Sequence, residues 1–89
     1  MMKTIALDIS NIYTVKALHI YLAYKLNLPA HYGKNLDALH DVLCEESEDV
    51  HIMLEGKAAG EEMAAYLPRL VRVMTDCAQE NGHICFEQK

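Results

Sequence analysis

Positive charge is scarce in this 89-residue chain, where eight Lys and Arg stand against thirteen Asp and Glu and leave a formal charge of -5. A nucleic-acid backbone is therefore not expected as a direct partner, because phosphate binding draws on clustered Lys and Arg. A basic partner is favoured instead. The cysteines lack a disulfide pattern: Cys44, Cys77 and Cys85 form an odd set with no CxxC pair, whereas a small secreted chain shows an even framework. Reduced, cytoplasmic thiols are expected. No apolar run is long enough to cross a bilayer, and residues 1 to 10 alternate apolar and polar side chains and carry Asp8, so neither a membrane span nor a signal peptide is expected. HExxH, a glycine-rich phosphate loop, internal repeats and linkers are also missing. The expectation is one domain over residues 1–89, with no cofactor and no metal.

What is present is 52% hydrophobic residues, enough for one modest core without disulfide or metal staples. Lys3 to Ile9 has strand character, ended by Ser10-Asn11. Between Thr14 and Leu28, the residues Val15, Leu18, Leu22 and Leu26 recur at three and four positions and lay one apolar stripe along a helix. Pro29 and Gly33 bracket a short loop, and Asn35 is a good N-cap for a second helix. On that helix Leu36, Leu39 and Leu43 share one face, with Asp37, Asp41 and Glu45 roughly opposite and toward solvent. Val50 to Leu54 is short and apolar, as a buried parallel strand is. Ala58 to Ala65 looks helical, and Pro68 suits the first turn of a further helix with Leu67, Leu70, Val71, Met74 and Cys77 inward, ended by Gly82. His83 to Phe86 supplies a third strand. The resulting order, βααβααβ, predicts an α/β fold in which helices pack over a three-stranded parallel sheet through right-handed crossovers.

Six carboxylates, Asp37, Asp41, Glu45, Glu46, Glu48 and Asp49, lie within thirteen residues that hold no Lys or Arg. One reading is a solvated helix face. The other is that carboxylates on a rigid helix mimic substrate phosphates and attract the basic groups of a nuclease active site. Spacing alone leaves both open.

The run Leu28-Pro29-Ala30-His31-Tyr32-Gly33-Lys34-Asn35-Leu36-Asp37-Ala38-Leu39-His40-Asp41 resembles the signature of the barstar family, Leu-Pro, x-Tyr-Tyr-Gly, x-Asn-Leu-Asp-Ala-Leu-Trp-Asp. The likeness runs without a gap to about Glu55, needs a small deletion before Gly82, and ends with the same Gly-then-strand pattern. It implies a barstar-like fold and a cytoplasmic immunity protein, of the toxin–antitoxin kind, that inhibits a basic microbial ribonuclease in a one-to-one complex. It also implies that the second helix and its preceding loop enter the nuclease cleft. In that family the position of Asp41 occupies a substrate-phosphate site, that of Asp37 pairs with basic residues at the cleft, and Gly33 and Asn35 belong to the contacting loop and helix start.

The departures bear on which nuclease is bound. The loop tyrosine that packs on the catalytic histidine is His31 here, and the signature tryptophan is His40. The Thr, Gly and Trp beyond the helix core are replaced by Cys44, Glu45 and Glu46, and the late-helix glutamate falls near Asp76 or Cys77. His31 and His40 flank the acidic patch, so mild acidification is expected to weaken docking of a basic partner. Two rival readings remain: a metal or acid/base enzyme using His31, His40, Asp37, Asp41 and Cys44, and a self-associating module using Ile20, Tyr21 and Tyr24. The free chain is expected to be a monomer. His19, His51 and His83 read as structural.

Overall fold

In the first strand, β1 (Lys3–Asp8), buried Ile5 and Leu7 alternate with exposed Thr4 and Ala6, as a period of two on a pleated strand requires. The computed structural model describes residues 2–89. β2 (Val50–Glu55) repeats the alternation with Val50, Ile52 and Leu54 buried, and β3 (Ile84–Gln88) contributes Ile84. The three strands form one parallel sheet in the order β1-β2-β3, with Ile5 opposite Ile52 and Ile52 opposite Phe86. The expected parallel α/β architecture is thus present. Only one face of the sheet carries the core. Residues of the other face, such as Thr4, Ala6 and Cys85, are exposed, and His51 and Met53 are half-buried. β2 is therefore not enclosed on both sides as its apolar run suggested, because the helices cover a single face.

The first helix, α1 (Val15–Lys25), starts at Thr14, whose Oγ1 accepts a hydrogen bond from the Ala17 amide at 3.1 Å. It buries Leu18 and Leu22 completely. α2 (Leu36–Cys44) follows the loop and buries Leu39 and Leu43. The second crossover is one continuous 20-residue helix, α3 (Glu61–Glu80), so the element order is βααβαβ. The break expected at Pro68 is absent. Proline in a helix interior removes one amide donor and crowds the preceding turn, costing about 3 kcal/mol. Here Pro68 is exposed, while Met63 on one side of it and Leu70, Met74 and Cys77 on the other are all fully buried. Each such side chain contributes about 1.5–3 kcal/mol on leaving water, so packing of the continuous stripe outweighs the local penalty. Among the described residues no helix is long and apolar enough to cross a membrane.

Candidate functional site

The loop between α1 and α2 is built from the inside outward. Tyr32 is buried, and its hydroxyl lies 2.7 Å from Nδ1 of His19, a residue on α1 that is itself only 1% exposed. The other ring nitrogen, Nε2, lies 2.8 Å from the Tyr66 hydroxyl on α3. A neutral imidazole has one donor and one acceptor nitrogen, so two phenols satisfy it completely. Burial pushes the His19 pKa below the usual imidazole value and pushes both phenols up, so all three groups stay neutral. The chain Tyr32–His19–Tyr66 ties the loop to two helices. His19 and Tyr66 had no functional signal in the sequence, and Tyr32 stood there only as a signature tyrosine, since the partners stand 13 and 47 positions apart.

From that anchor the loop turns into α2. Lys34 adopts a left-handed backbone with φ 54, and Asn35 caps the helix as expected: its Oδ1 accepts from the Ala38 amide at 2.8 Å, and its Nδ2 donates to the Gly33 carbonyl at 3.2 Å. A Cβ at Gly33 would stand 3.2 Å from the Ala38 methyl, so a larger residue there requires the α2 start to give by a few tenths of an ångström. At the far end, Asn81 serves α2 from outside. Its Nδ2 donates to the carbonyls of Leu43 at 2.9 Å and Glu46 at 3.0 Å, and more weakly to Cys44 at 3.4 Å. Leu43 and Cys44 are among the last carbonyls that a helix C-terminus leaves short of amide partners, and Glu46 follows just past the cap. Asn81 is a further residue that local pattern missed; the sequence showed only a helix ended by Gly82.

The walls of a shallow concavity beside α2 include His31, Tyr32, Gly33, Ala38, Asp41 and Glu45. Asp37 lies one turn earlier on the same helix, and Asp37, Asp41 and Glu45 are all exposed. Among the described residues none of the three takes part in an ion pair; the acid run's one pairing is Asp49 with His83 at 2.9 Å. Glu46 is half-buried and turns back, its Oε1 accepting from the Glu48 amide at 3.0 Å. Asp76 is exposed on α3.

His40 and Cys44 do not join this surface. They face α3, where His40 Nε2 lies 3.0 Å from a Glu80 carboxylate oxygen and Cys44 donates to the same oxygen at 3.3 Å. Burial pushes the Cys44 thiol up, with the Glu80 contact adding to it, and burial pushes the Cys77 thiol up to about 12. His31 and Asp41 therefore stand in the concavity while His40 and Cys44 stand at the helix–helix contact, so the five residues of the enzyme reading are not one constellation. The surface of the self-association reading is likewise divided: Tyr24 is 82% exposed, but the Tyr21 hydroxyl accepts from the Asp8 amide at 2.9 Å.

The sequence model of one family, described as Barstar (barnase inhibitor), matches residues 2–87 of the 89. This chain belongs to the barstar family. Among curated proteins none matches it. The parallel sheet with helices on one face and the capped α2 after the loop are thus the barstar framework as this chain builds it. Membership brings a barnase-inhibitor-like role, and members of the family are inhibitors and not enzymes.

Proposed function

We propose that this barstar-family chain is a cytoplasmic immunity protein. It inhibits a basic, barnase-like or other microbial ribonuclease by laying α2 and the loop from residue 30 to residue 35 into the active-site cleft. The observation that carries the reading is the row Asp37, Asp41 and Glu45: exposed carboxylates on one helix, with no cation of the described chain spent on them. Asp41 and Glu45 border the concavity that His31 and Gly33 close, a shape suited to receiving a projecting basic side chain. Carboxylate to guanidinium or ammonium bonds are the strong class of hydrogen bond, with the geometry that phosphate recognition also uses.

Rigidity favours the same reading. Asn35 fixes the start of α2, Asn81 its end, and Tyr32 the loop before it, so docking orders little that is not already ordered. Asp41 sits at the centre of the contact, Asp37 and Glu45 beside it, and Asp76 on α3 at its rim; His40, Cys44 and Glu46 support the helix from behind. No enzymatic role is assigned to the chain.

The experiment is titration of the purified chain into barnase-like ribonucleases and ribonuclease toxins, scored by loss of RNA cleavage. Inhibition that saturates at one equivalent is expected. Removing one partner of a desolvated ion pair costs about 3–5 kcal/mol, so Asp41→Ala should weaken binding by at least about a hundredfold. Equal inhibition by wild type and Asp41→Ala, or a complex in which α2 stays in water, rejects the proposal.

A further inference from the structure

The contact between α2 and α3 gathers the chain's soft metal-ligating side chains. His40 and Cys44 stand four apart on α2, and Cys77 and Glu80 three apart on α3, so each pair shares one helix face. Ligand atoms of His40, Cys44 and Cys77 lie within 4.8 Å of one another. We propose that these four residues form a closed, structural Zn2+ site, with His40 Nε2, the two thiolates and a Glu80 carboxylate oxygen as ligands.

The distances argue for it. Zinc takes sulfur at about 2.3 Å and nitrogen or oxygen at about 2.0–2.2 Å in a tetrahedron, which sets ligand–ligand separations of about 3.8 Å for S–S, about 3.6 Å for S–N and S–O, and about 3.4 Å for N–O. The structure holds Cys44 Sγ and Cys77 Sγ at 4.0 Å, Cys44 Sγ and His40 Nε2 at 3.6 Å, Cys44 Sγ and Glu80 Oε2 at 3.3 Å, and His40 Nε2 and Glu80 Oε2 at 3.0 Å. These four pairs sit within a few tenths of an ångström of the tetrahedral edge, His40 and Cys77 lie within 4.8 Å of each other, and Glu80 joins the set through His40 and Cys44. Binding is an exchange with no redox step: Zn2+ enters, and two thiol protons leave to solvent. Two thiolates and a carboxylate suit zinc over calcium or magnesium, which prefer oxygen ligands alone.

The site is separate from the acidic surface and has its own purpose. Cys77 is fully buried, while His40 is 35% and Glu80 58% exposed, so an ion reaches the cluster from the solvent side of the helix pair. Once bound it clamps α2 to α3 beside the Asn81 contacts, at the end of α2 opposite the Asn35 cap. Three positions where the sequence departs from its family signature, His40, Cys44 and the neighbourhood of Cys77, supply three of the ligands.

The test uses the full-length chain, fully reduced with a non-chelating phosphine and titrated with Co2+ as the spectroscopic stand-in. One equivalent should produce intense tetrahedral d–d bands and thiolate-to-cobalt charge transfer, and one equivalent of Zn2+ should bleach both. Cys44→Ser and Cys77→Ser should each cut the thiolate charge transfer to that of one Co–S bond and the double variant should abolish it; Cys85→Ser should not alter it. Because Cys77 is buried, exposed Glu80 provides the variant that cannot simply unfold: Glu80→Gln should weaken cobalt binding by at least about tenfold, the lower end even for outer-shell losses. Zn2+ at about a hundredfold above its Kd should raise the wild-type Tm by at least about 10 °C. A reduced wild type without thiolate–cobalt bands, charge transfer undiminished by Cys77→Ser in a protein with native far-UV dichroism, or unchanged affinity in Glu80→Gln would each overturn the four-ligand site.

Discussion

The imidazole of His19 and the phenol of Tyr32 share a 2.7 Å hydrogen bond in the core, joining the middle of α1 to the loop that delivers α2. Through this bond the position of an exposed candidate binding loop depends on a residue with no access to solvent. A stability prediction with a sign follows. Burial lowers the folded pKa of His19 below the unfolded value of about 6.5. Below that pH the unfolded chain takes up a proton that the folded chain resists, so the contribution of His19 is fully present above about pH 6.5 and declines as pH falls from there toward its lowered folded pKa. Denaturant unfolding of wild type and His19→Gln should show a stability gap that narrows on acidification through that window. A gap independent of pH counts against a neutral buried His19.

Asn81 reaches three carbonyls at the end of α2 with one amide group. Replacing Asn81 with Ala takes this donor from the Cys44 and Glu46 carbonyls and leaves Leu43 only the Glu46 amide at 3.3 Å, at a cost of about 1–3 kcal/mol. Asn81→Ala should lower the midpoint of chemical denaturation accordingly and increase amide exchange at the C-terminal turn of α2. Exchange confined to α3 would show that the contact does not hold α2.

Pro68 is exposed within α3 and lacks the amide that would reach the Ala64 carbonyl. Pro68→Ala restores that bond and relieves the crowding, and loses about 0.4–1 kcal/mol through a freer unfolded chain. A net gain of about 1–3 kcal/mol is expected from thermal or urea unfolding. A destabilised variant would mean that α3 is shaped around a proline kink that its packing needs.

Glu48 is exposed at the margin of the acidic run and its carboxylate has no ion-pair partner among the described residues. Charges that steer without being buried act over about 10 Å at 0.1 M salt and fade as salt rises. Glu48→Gln should slow association with the target ribonuclease a few-fold at low ionic strength and leave dissociation unchanged, whereas Asp41→Ala should act mainly on dissociation. Stopped-flow association and chase measurements at two salt concentrations separate the two.

Much of the framework was legible because it rests on local periodicity. Alternation in Lys3–Asp8, the Leu18 and Leu22 stripe and the Asn35 cap are each written within a few residues, and burial of those side chains is the same force read in one dimension. Val50–Glu55 was legible as a strand but not as a half-exposed one, since whether a second layer covers a sheet is a property of the whole chain. Pro68 misled for a related reason: a local penalty is visible in sequence, while the buried residues that outweigh it are brought together only by packing.

For the binding surface, the sequence alone determined the charge, the spacing of Asp37, Asp41 and Glu45, and the start of the helix that carries them. These follow from the chemistry of single side chains and the 3.6-residue turn. Tertiary structure alone decided that His31 lies beside Asp41 while His40 and Cys44 turn to α3, that Asn81 closes α2, and that Tyr32 hangs from His19 and Tyr66. The physical reason is that these contacts span 10 to 47 positions, and separations of that length are closed by burial of the common core, which no local pattern encodes.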